Sequence, residues 1–387
     1  MRKDTPLPKG QLRESIVFLV CFLLFFYLLA RTMGLANMLN SMMNTAFDLL
    51  INTCFYLMAI CVLTGALSRL LSEFGVIDLI NRLLSPLLEP VYGLPGAASL
   101  GIVTTFLSDN PAILTLAHDG RFRRLFKRYQ LPALTNLGTS FGMGLIVCTY
   151  MIGLQSTVGV PLGKAVLVGV LGAVIGSILS TRLMLHFTKK IYGTQEMAGV
   201  QTDTAREEHI PAKHTSSAAS RFIDAMLEGG KTGVDMGLSI IPGVVIICTL
   251  VMMLTYGPSD AGGYTGAAYE GVALLPAAAE KLRFLLEPLF GLSTPEAISV
   301  PVTALGAAGA AVSVVGQLAA AGAVTANDIA VFTAMCMCWS GYLSTHVSMM
   351  NSLECNNLVG KAILSHTLGG LLAGMSAHWI YALLSLL

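Results

Sequence analysis

Charged residues are scarce in this sequence. Lys, Arg, Asp and Glu together make up 12% of its 387 residues, whereas soluble domains carry about 25%. Because hydrophobic residues make up 54%, this composition excludes an ordinary soluble protein and indicates an integral membrane protein. The net charge of +1 predicts no nucleic-acid partner, since nucleic-acid-binding domains are strongly basic.

The motifs of soluble enzymes are missing as well. There is no HExxH metal motif, and no GxSxG that can be placed on a strand–turn–helix. Residues 159–165, GVPLGKA, are one residue short of a phosphate-binding loop and lack the Ser or Thr after the lysine. We therefore expect neither an enzyme nor a nucleotide-driven motor, and no cofactor.

The eight cysteines do not form the pattern of a secreted disulfide framework. Seven lie inside apolar runs, and Cys355 lies near a predicted membrane edge. Cys336 and Cys338 are two positions apart, which is the wrong spacing for a CxxC redox or zinc pair. The cysteines are therefore interpreted as packing residues, and no metal site is expected.

Apolar runs of about 20 residues, the length that crosses a bilayer, predict an all-α integral membrane protein. Two amphipathic stretches, 68–92 and 272–290, are each followed by a small-residue apolar run, 96–117 and 295–324. The only long hydrophilic segment is 192–231. The predicted spans are 15–32, 46–67, 131–155, 162–187, 234–255, 329–350 and 362–387.

Short motifs recur in the same order on both sides of the hydrophilic segment. LLEPVYGLPGAAS (87–99) matches LLEPLFGLSTPEAIS (285–299), and GKAVLVGVLG (163–172) matches GKAILSHTLG (360–369). Such an ordered series indicates an internal duplication. Each copy would contain a helix, an interfacial helix, a re-entrant hairpin and two further helices. The predicted parts are an N-terminal tail and signal-anchor helix (1–44), repeat one (45–190), a cytoplasmic linker (191–231) and repeat two (232–387).

Basic residues predict the orientation of the chain, because they favour the cytoplasmic side. The basic cluster in 121–128 stays inside only if 96–117 dips into the membrane and returns. By this topology, 19 of the 23 Lys and Arg residues lie inside or at the inner edge. We therefore expect a multi-pass protein of the inner (plasma) membrane, with a cytoplasmic N-terminus and with repeat two inverted relative to repeat one.

Residues 101–112, GIVTTFLSDNPA, are the strongest candidate for a site. Ser108, Asp109 and Asn110 lie where hydrocarbon should continue, and Pro111 follows them. A charge at membrane depth costs about 3 kcal/mol, and non-helical backbone is tolerated there only inside protein or beside a water-filled cavity. We predict a hairpin tip that supplies half of a substrate site, flanked by Thr104 and Thr105. The alternative is a cytoplasmic loop with a helix N-cap at Asp109 or Asn110.

The other half of the site is expected from repeat two and from the helices after each hairpin. In 303–316, Gly306 and Gly309 allow close backbone approach and Ser313 supplies a hydroxyl; the alternative is a small-residue packing face. Polar residues of the following helices complete the candidates: Asn136, Ser140, Ser340, Ser344, Thr345, His346 and Asn351. Membrane Ser and Thr often bond only to their own helix, and His346 is either a group that titrates near physiological pH or a packing histidine.

The order of elements, the polar tip TTFLSDNPA and the repeated GKA-x-L helices resemble the concentrative nucleoside transporters. They also resemble the broader nucleoside-recognition (Gate) membrane proteins, which include ferrous-iron transporter Gate regions and spore maturation proteins. The resemblance implies that Ser108, Asp109 and Asn110 contact substrate, and that 306–313 and 340–351 supply sodium and ribose contacts. The Gln-Thr-Glu tip of the nucleoside transporters is absent here.

We therefore expect a secondary active transporter, a symporter that moves a small polar solute, nucleoside-like or other, by alternating access. A gradient of Na⁺ or H⁺ would drive it, with Asp109 as the leading residue for coupling or substrate binding. The alternatives are a non-transporting accessory or channel-like Gate protein of the sporulation type, and a metal-cation permease. Its expected partners are the solute and the lipid bilayer, and the sequence leaves a homo-oligomer open.

Overall fold

The computed structural model describes residues 9–110, 112–118, 120–198, 217–259 and 262–386. Within these ranges the chain forms helices and no strand, with one isolated bridge between Lys127 and Met197. The all-α prediction is confirmed. The helices are α1 (Lys9–Met33), α2 (Leu35–Asp48), α3 (Phe55–Glu73), α4 (Val76–Tyr92), α5 (Ala98–Leu107), α6 (Ala112–His118), α7 (Gly120–Arg123), α8 (Leu131–Thr139), α9 (Gly144–Gly153), α10 (Gln155–Val158), α11 (Gly163–Tyr192), α12 (Ala218–Gly243), α13 (Thr249–Thr255), α14 (Leu274–Lys281), α15 (Arg283–Phe290), α16 (Ser299–Gly306), α17 (Ala308–Ala320), α18 (Ala326–Cys338), α19 (Tyr342–Ser352) and α20 (Val359–Ser385).

Among the described residues, six helical segments are long and apolar enough to cross a membrane. They are Gln11–Met33, Leu35–Glu73, Leu131–Val158, Gly163–Tyr192, Ala218–Thr255 and Asn356–Ser385. Six of the seven predicted spans coincide with them. The seventh, 329–350, is not one helix, because α18 ends at Cys338 and α19 begins at Tyr342. Gly341 between them has φ 71°, a left-handed conformation that a right-handed helix cannot continue through.

Helices cross two of the predicted domain boundaries. α11 runs to Tyr192 and α12 begins at Ala218, so both ends of the predicted linker 191–231 are helical. The Ser217 hydroxyl caps α12 by accepting a hydrogen bond from the Ser220 amide, a favoured start for a helix that the polar composition had hidden. Residues 199–216 lie outside the described part. The boundary placed between residues 44 and 45 falls inside α2.

The two longest spans, Leu35–Glu73 and Ala218–Thr255, each contain a π-helical segment. Leu49–Cys54 joins α2 to α3, and Val244–Cys248 joins α12 to α13. These two segments contact each other. In a π-helical turn the backbone hydrogen bonds span five residues instead of four, and such turns occur frequently at functional sites. The regular α-helical hydrogen bonding of both spans is therefore interrupted where the two segments meet.

Glycines hold two pairs of helices in backbone contact. Between α3 and α12, a Cβ at Gly65 would lie 3.2 Å from the Cα of Gly233. Between α11 and α20, a Cβ at Gly176 would lie 2.6 Å from the Cβ of Ala373 and would overlap the carbonyl oxygen of Gly369. Close approach of this kind is the usual basis of helix packing in membranes, where van der Waals contact replaces the hydrophobic effect.

Replacing Gly176 with alanine is expected to lower the free energy of unfolding by about 1–3 kcal/mol, because the added methyl group forces α11 and α20 apart. Thermal unfolding in detergent measures the change. Gly163→Ala is the matched control, since a Cβ at this position in the same helix meets no atom within 4 Å. Equal unfolding temperatures for the two variants would show that the close contact does not stabilise the protein.

Candidate solute site at four helix breaks

Four helices are interrupted in the middle of the chain's apolar segments. The breaks lie between α5 and α6 at Ser108, between α8 and α9 at Ser140, between α16 and α17 after Gly306, and between α18 and α19 after Cys338. Leu107 and Gly306, the last helical residues before the first and third breaks, are 199 positions apart. Thr139 and Cys338, before the second and fourth breaks, have the same separation. Breaks inside a membrane leave backbone groups whose hydrogen bonds must be satisfied by protein, water or ligand. A ligand-binding site is therefore expected at these breaks.

The chain reverses direction at the first break. A Cβ at Gly101 in α5 would touch the Cδ1 of Ile113 in α6, which two residues twelve positions apart cannot do along one straight helix. At the tip, Ser108 donates a hydrogen bond to the Thr104 carbonyl at 2.7 Å, and the Asp109 carboxylate accepts one from the Asn110 amide at 2.7 Å. α5 and α6 therefore form a hairpin, and the Asp109 carboxylate stabilises its turn.

Asn110 connects this tip to the break between α18 and α19. Its side chain is fully buried, and its Nδ2 donates to the Ser340 carbonyl and, at 3.3 Å, to the Thr345 hydroxyl. The break between α8 and α9 lies at the same point, because a Cβ at Gly142 would overlap Asn110 Oδ1 and lie 2.7 Å from Ser340 Oγ. Three of the four breaks thus meet around one asparagine.

Several polar atoms at this point make no hydrogen bond within the described residues. They are Oδ1 of Asn110, Oγ of Ser340 and both ring nitrogens of His346, all in side chains that are at least 96% buried. An unsatisfied buried polar group costs about 1–3 kcal/mol, so native proteins rarely leave one without a water or a ligand to pair it. The arrangement can offer a polar solute an acceptor, a hydroxyl and an imidazole without any fixed charge.

A hydrogen-bond relay holds the break in α18–α19 in place. Asn136 Nδ2 donates to Ser180 Oγ at 3.0 Å, Ser180 Oγ pairs with His366 Nδ1 at 2.8 Å, and His366 Nε2 pairs with the Cys338 carbonyl. Because a carbonyl only accepts, Nε2 carries a hydrogen and donates it to Cys338. The relay therefore satisfies the carbonyl that the end of α18 leaves unpaired.

The remaining predicted site residues lie in less distinctive surroundings. The hydroxyls of Thr104, Thr105, Ser140 and Ser313 donate to carbonyls of their own helices. Gly306 and Gly309 pack against isoleucines of the span Ala218–Thr255. Asn351 is exposed. Pro111 and the side chain of Ser344 lie outside the described part. The sequence did not indicate Gly142, Ser180 or His366; a lone histidine in the GKAILSHTLG repeat was the one available signal for His366.

The two hairpins have different surroundings. The first hairpin borders a cavity of about 440 Å³. The second hairpin, formed by α16 and α17, borders a smaller and wholly apolar cavity of about 180 Å³ on its α16 side and is closely packed on its α17 side. A Cβ at Gly243 would lie 3.2 Å from the Cβ of Ala307, and the Cys248 thiol donates to the Ala310 carbonyl at 3.0 Å. The polar residues lining the larger cavity are Ser68, Arg69, Ser72, Thr104, Ser108, Glu228 and Thr232.

No protein family and no curated protein sequence matches the chain. Among solved structures, a doubly substituted CNTnw in an outward-facing state is similar, with a TM-score of 0.54, 16% identity, and coverage of 98% of this chain and 87% of that one. CNTnw in an inward-facing substrate-bound state gives a TM-score of 0.50, 14% identity and the same coverage. These are concentrative nucleoside transporter structures, and at this identity the likeness shows that the chain has their fold.

Proposed function

We propose that this protein is a secondary active transporter that moves a small polar solute across the membrane by alternating access. The observation that carries the proposal is the set of buried, unpartnered polar atoms of Asn110 and Ser340, at a point where three interrupted helices meet. A structural role alone would favour pairing these atoms. Sites built at broken helices near the membrane centre are the recurrent design of secondary transporters.

The chemistry of the site supports a neutral solute with both donors and acceptors. Asn110 Oδ1 can only accept, whereas the Ser340 hydroxyl and the His346 imidazole can each donate or accept. A nucleoside-like solute presents such edges, and it is the class for which the similar transporters are named. The side chains that we assign to the solute are those of Asn110, Ser340, Thr345 and His346.

The surroundings of the two hairpins support alternating access. The cavity lies against the first hairpin, and small residues pack the second hairpin against α12 and the π-helical Val244–Cys248. The cavity at the first hairpin is the larger of the two and the one with polar lining, which is the difference expected when a transporter is more open on one side. The first and third breaks are as far apart in the sequence as the second and fourth, which supports the two predicted repeats. The distribution of basic residues supports a cytoplasmic N-terminus in the inner (plasma) membrane.

Asp109 is the residue that we assign to coupling with Na⁺ or H⁺. It is partly buried at the hairpin tip beside Asn110, where a bound cation or a proton would neutralise it. Asp109→Asn is therefore expected to reduce gradient-driven uptake by at least about tenfold, the effect of about 1.4 kcal/mol, in proteoliposomes that carry a Na⁺ or a pH gradient.

The solute for this assay comes from a thermal-stabilisation screen over nucleosides, amino acids, organic acids and metal ions. Asp78→Asn is the matched control, because Asp78 is exposed in the first turn of α4; its uptake should match that of the parent protein. Absence of uptake over the whole panel, together with co-purification of a fixed partner, would contradict transport and favour an accessory membrane protein. Unchanged gradient dependence in Asp109→Asn would remove this residue from coupling.

A further inference from the structure

The segment between α13 and α14 lies along α2. Three polar side chains of α2, from Asn37, Ser41 and Asn44, donate hydrogen bonds to backbone carbonyls of this segment, at 3.0, 2.9 and 2.8 Å. Their spacing of four and three residues places them on one helix face. These three side chains of α2 therefore hold the segment against the helix.

Glu270 organises the same segment from within. Its side chain is fully buried and accepts hydrogen bonds from the backbone amides of Thr265 and Gly266 and from the Ser259 hydroxyl. Burial alone would raise the pKa of Glu270, but these hydrogen bonds outweigh it and lower the pKa to about 2. The preceding residue, Tyr269, is held at φ 66°, which costs a residue other than glycine free energy, so its position is enforced by its surroundings.

The Tyr269 side chain joins α2 to the second hairpin. Its hydroxyl donates to the carboxylate of Asp48, the last residue of α2, and accepts from Gln317 Nε2 of α17 at 2.8 Å. Its backbone amide donates to the Thr45 hydroxyl at 2.7 Å. One phenol thus connects α17 to a helix outside the hairpin.

The first hairpin is tied to the other end of the same span. The Ser68 hydroxyl of α3 donates to the Leu107 carbonyl, next to the hairpin tip, at 3.0 Å. Asp48 and Ser68 are twenty residues apart in the span Leu35–Glu73, which corresponds to about 30 Å at 1.5 Å per residue. This equals the thickness of the hydrocarbon core, so the two hairpins are held at opposite ends of one helix.

We propose that Tyr269 is a positioning residue that keeps the second hairpin closed against α2, and that breaking its bonds to Asp48 and Gln317 opens this hairpin independently of the first. The inference rests on the proposed function, because alternating access requires a closed side of the site to open. It goes beyond that function in naming the contact that holds one hairpin.

A native thiol reports the opening. Cys248 is buried and donates to the Ala310 carbonyl of the second hairpin, so it becomes reactive only when that hairpin moves away. Cys21 is the exposed cysteine and is replaced with alanine in the background. In the Cys21→Ala background, Tyr269→Phe is expected to raise about tenfold the rate at which a membrane-impermeant maleimide alkylates Cys248. Peptide mass spectrometry measures the alkylated fraction over time.

Two controls and a second variant make the result specific. Tyr264→Phe removes a phenol hydroxyl from the same segment, one that makes no hydrogen bond within the described residues, and Ser68→Ala releases only the first hairpin; both should stay within twofold of the parent. Gln317→Ala removes the opposite partner of the phenol without changing the segment, and it should reproduce the tenfold rise. Rates within twofold in both Tyr269→Phe and Gln317→Ala, or an equal rise in Tyr264→Phe, would overturn the proposal.

This labelling requires no solute, so its result is separate from the uptake assay. Uptake with unchanged Cys248 reactivity would overturn the positioning role and leave transport in place. A tenfold rise in labelling without any uptake would overturn transport and leave the contact between Tyr269 and the second hairpin supported.

Discussion

Asn110→Leu is expected to reduce solute uptake by at least about 100-fold in a protein that still folds. Leucine has the same number and branching of side-chain heavy atoms as asparagine, although its methyl groups are larger than the amide nitrogen and oxygen. The substitution removes the amide donor to the buried Ser340 carbonyl and the unpartnered Oδ1 that we assign to the solute. Leaving a buried carbonyl unpaired costs about 1–3 kcal/mol and losing a hydrogen bond about 1 kcal/mol more, which together correspond to about two orders of magnitude.

Initial uptake rates in proteoliposomes, with the solute selected by the thermal-stabilisation screen, measure this effect. The same screen provides a second readout, because the solute should no longer stabilise the variant. Asn351→Leu is the matched control, since its side chain is exposed, and uptake should be retained. Full uptake by Asn110→Leu, or equal loss in the two variants, would show that the solute binds elsewhere.

His366→Ala is expected to cause the largest loss of stability, about 3–5 kcal/mol of unfolding free energy. The substitution leaves a cavity among fully buried side chains. It also removes the partner of the Cys338 carbonyl and one of the two partners of Ser180 Oγ. Thermal unfolding in detergent, with and without the solute, measures the change. His366→Gln keeps both a donor and an acceptor and should recover part of the loss.

His378→Ala on the same helix is the control for this prediction. His378 is only partly buried and makes one side-chain hydrogen bond, to Asn327 at 2.9 Å, so a loss of about 1 kcal/mol is expected. If the two alanine variants unfold at the same temperature, the relay does not stabilise the break. If His366→Gln is as unstable as His366→Ala, the hydrogen bonds are not what the histidine contributes.

The features that the sequence predicted correctly are local ones. The apolar runs predicted the long spans because hydrocarbon depth requires a run of fixed length. The tip at Ser108–Asn110 was visible because a charge stands where apolar residues should continue. The site around Asn110 needed more than local pattern, since its partner Ser340 is 230 positions away and the pairing depends on how the hairpin meets a distant helix.

The break after Cys338 shows why a local pattern fails. Residues 329–350 are apolar enough to predict one continuous span, and Gly341 alone does not end a helix, because glycine is also common in membrane packing faces. The interruption is stabilised by His366, which comes from another helix and pairs the carbonyl that the break exposes. A local sequence pattern does not show which distant residue will pair with a given carbonyl. It likewise does not show which glycines of α3 and α12 will be in contact.

The two glycine contacts also determine how this molecule can deform. Where backbones touch, as they do between α3 and α12 and between α11 and α20, no flexible side chain lies between the helices to absorb a sliding motion. Each helix pair is therefore expected to move as one rigid unit, with displacement concentrated outside the pairs. One such place is the cavity that α3 and α12 border together with the first hairpin. A thicker or thinner bilayer would then act on the protein mainly by shifting one helix pair relative to the other.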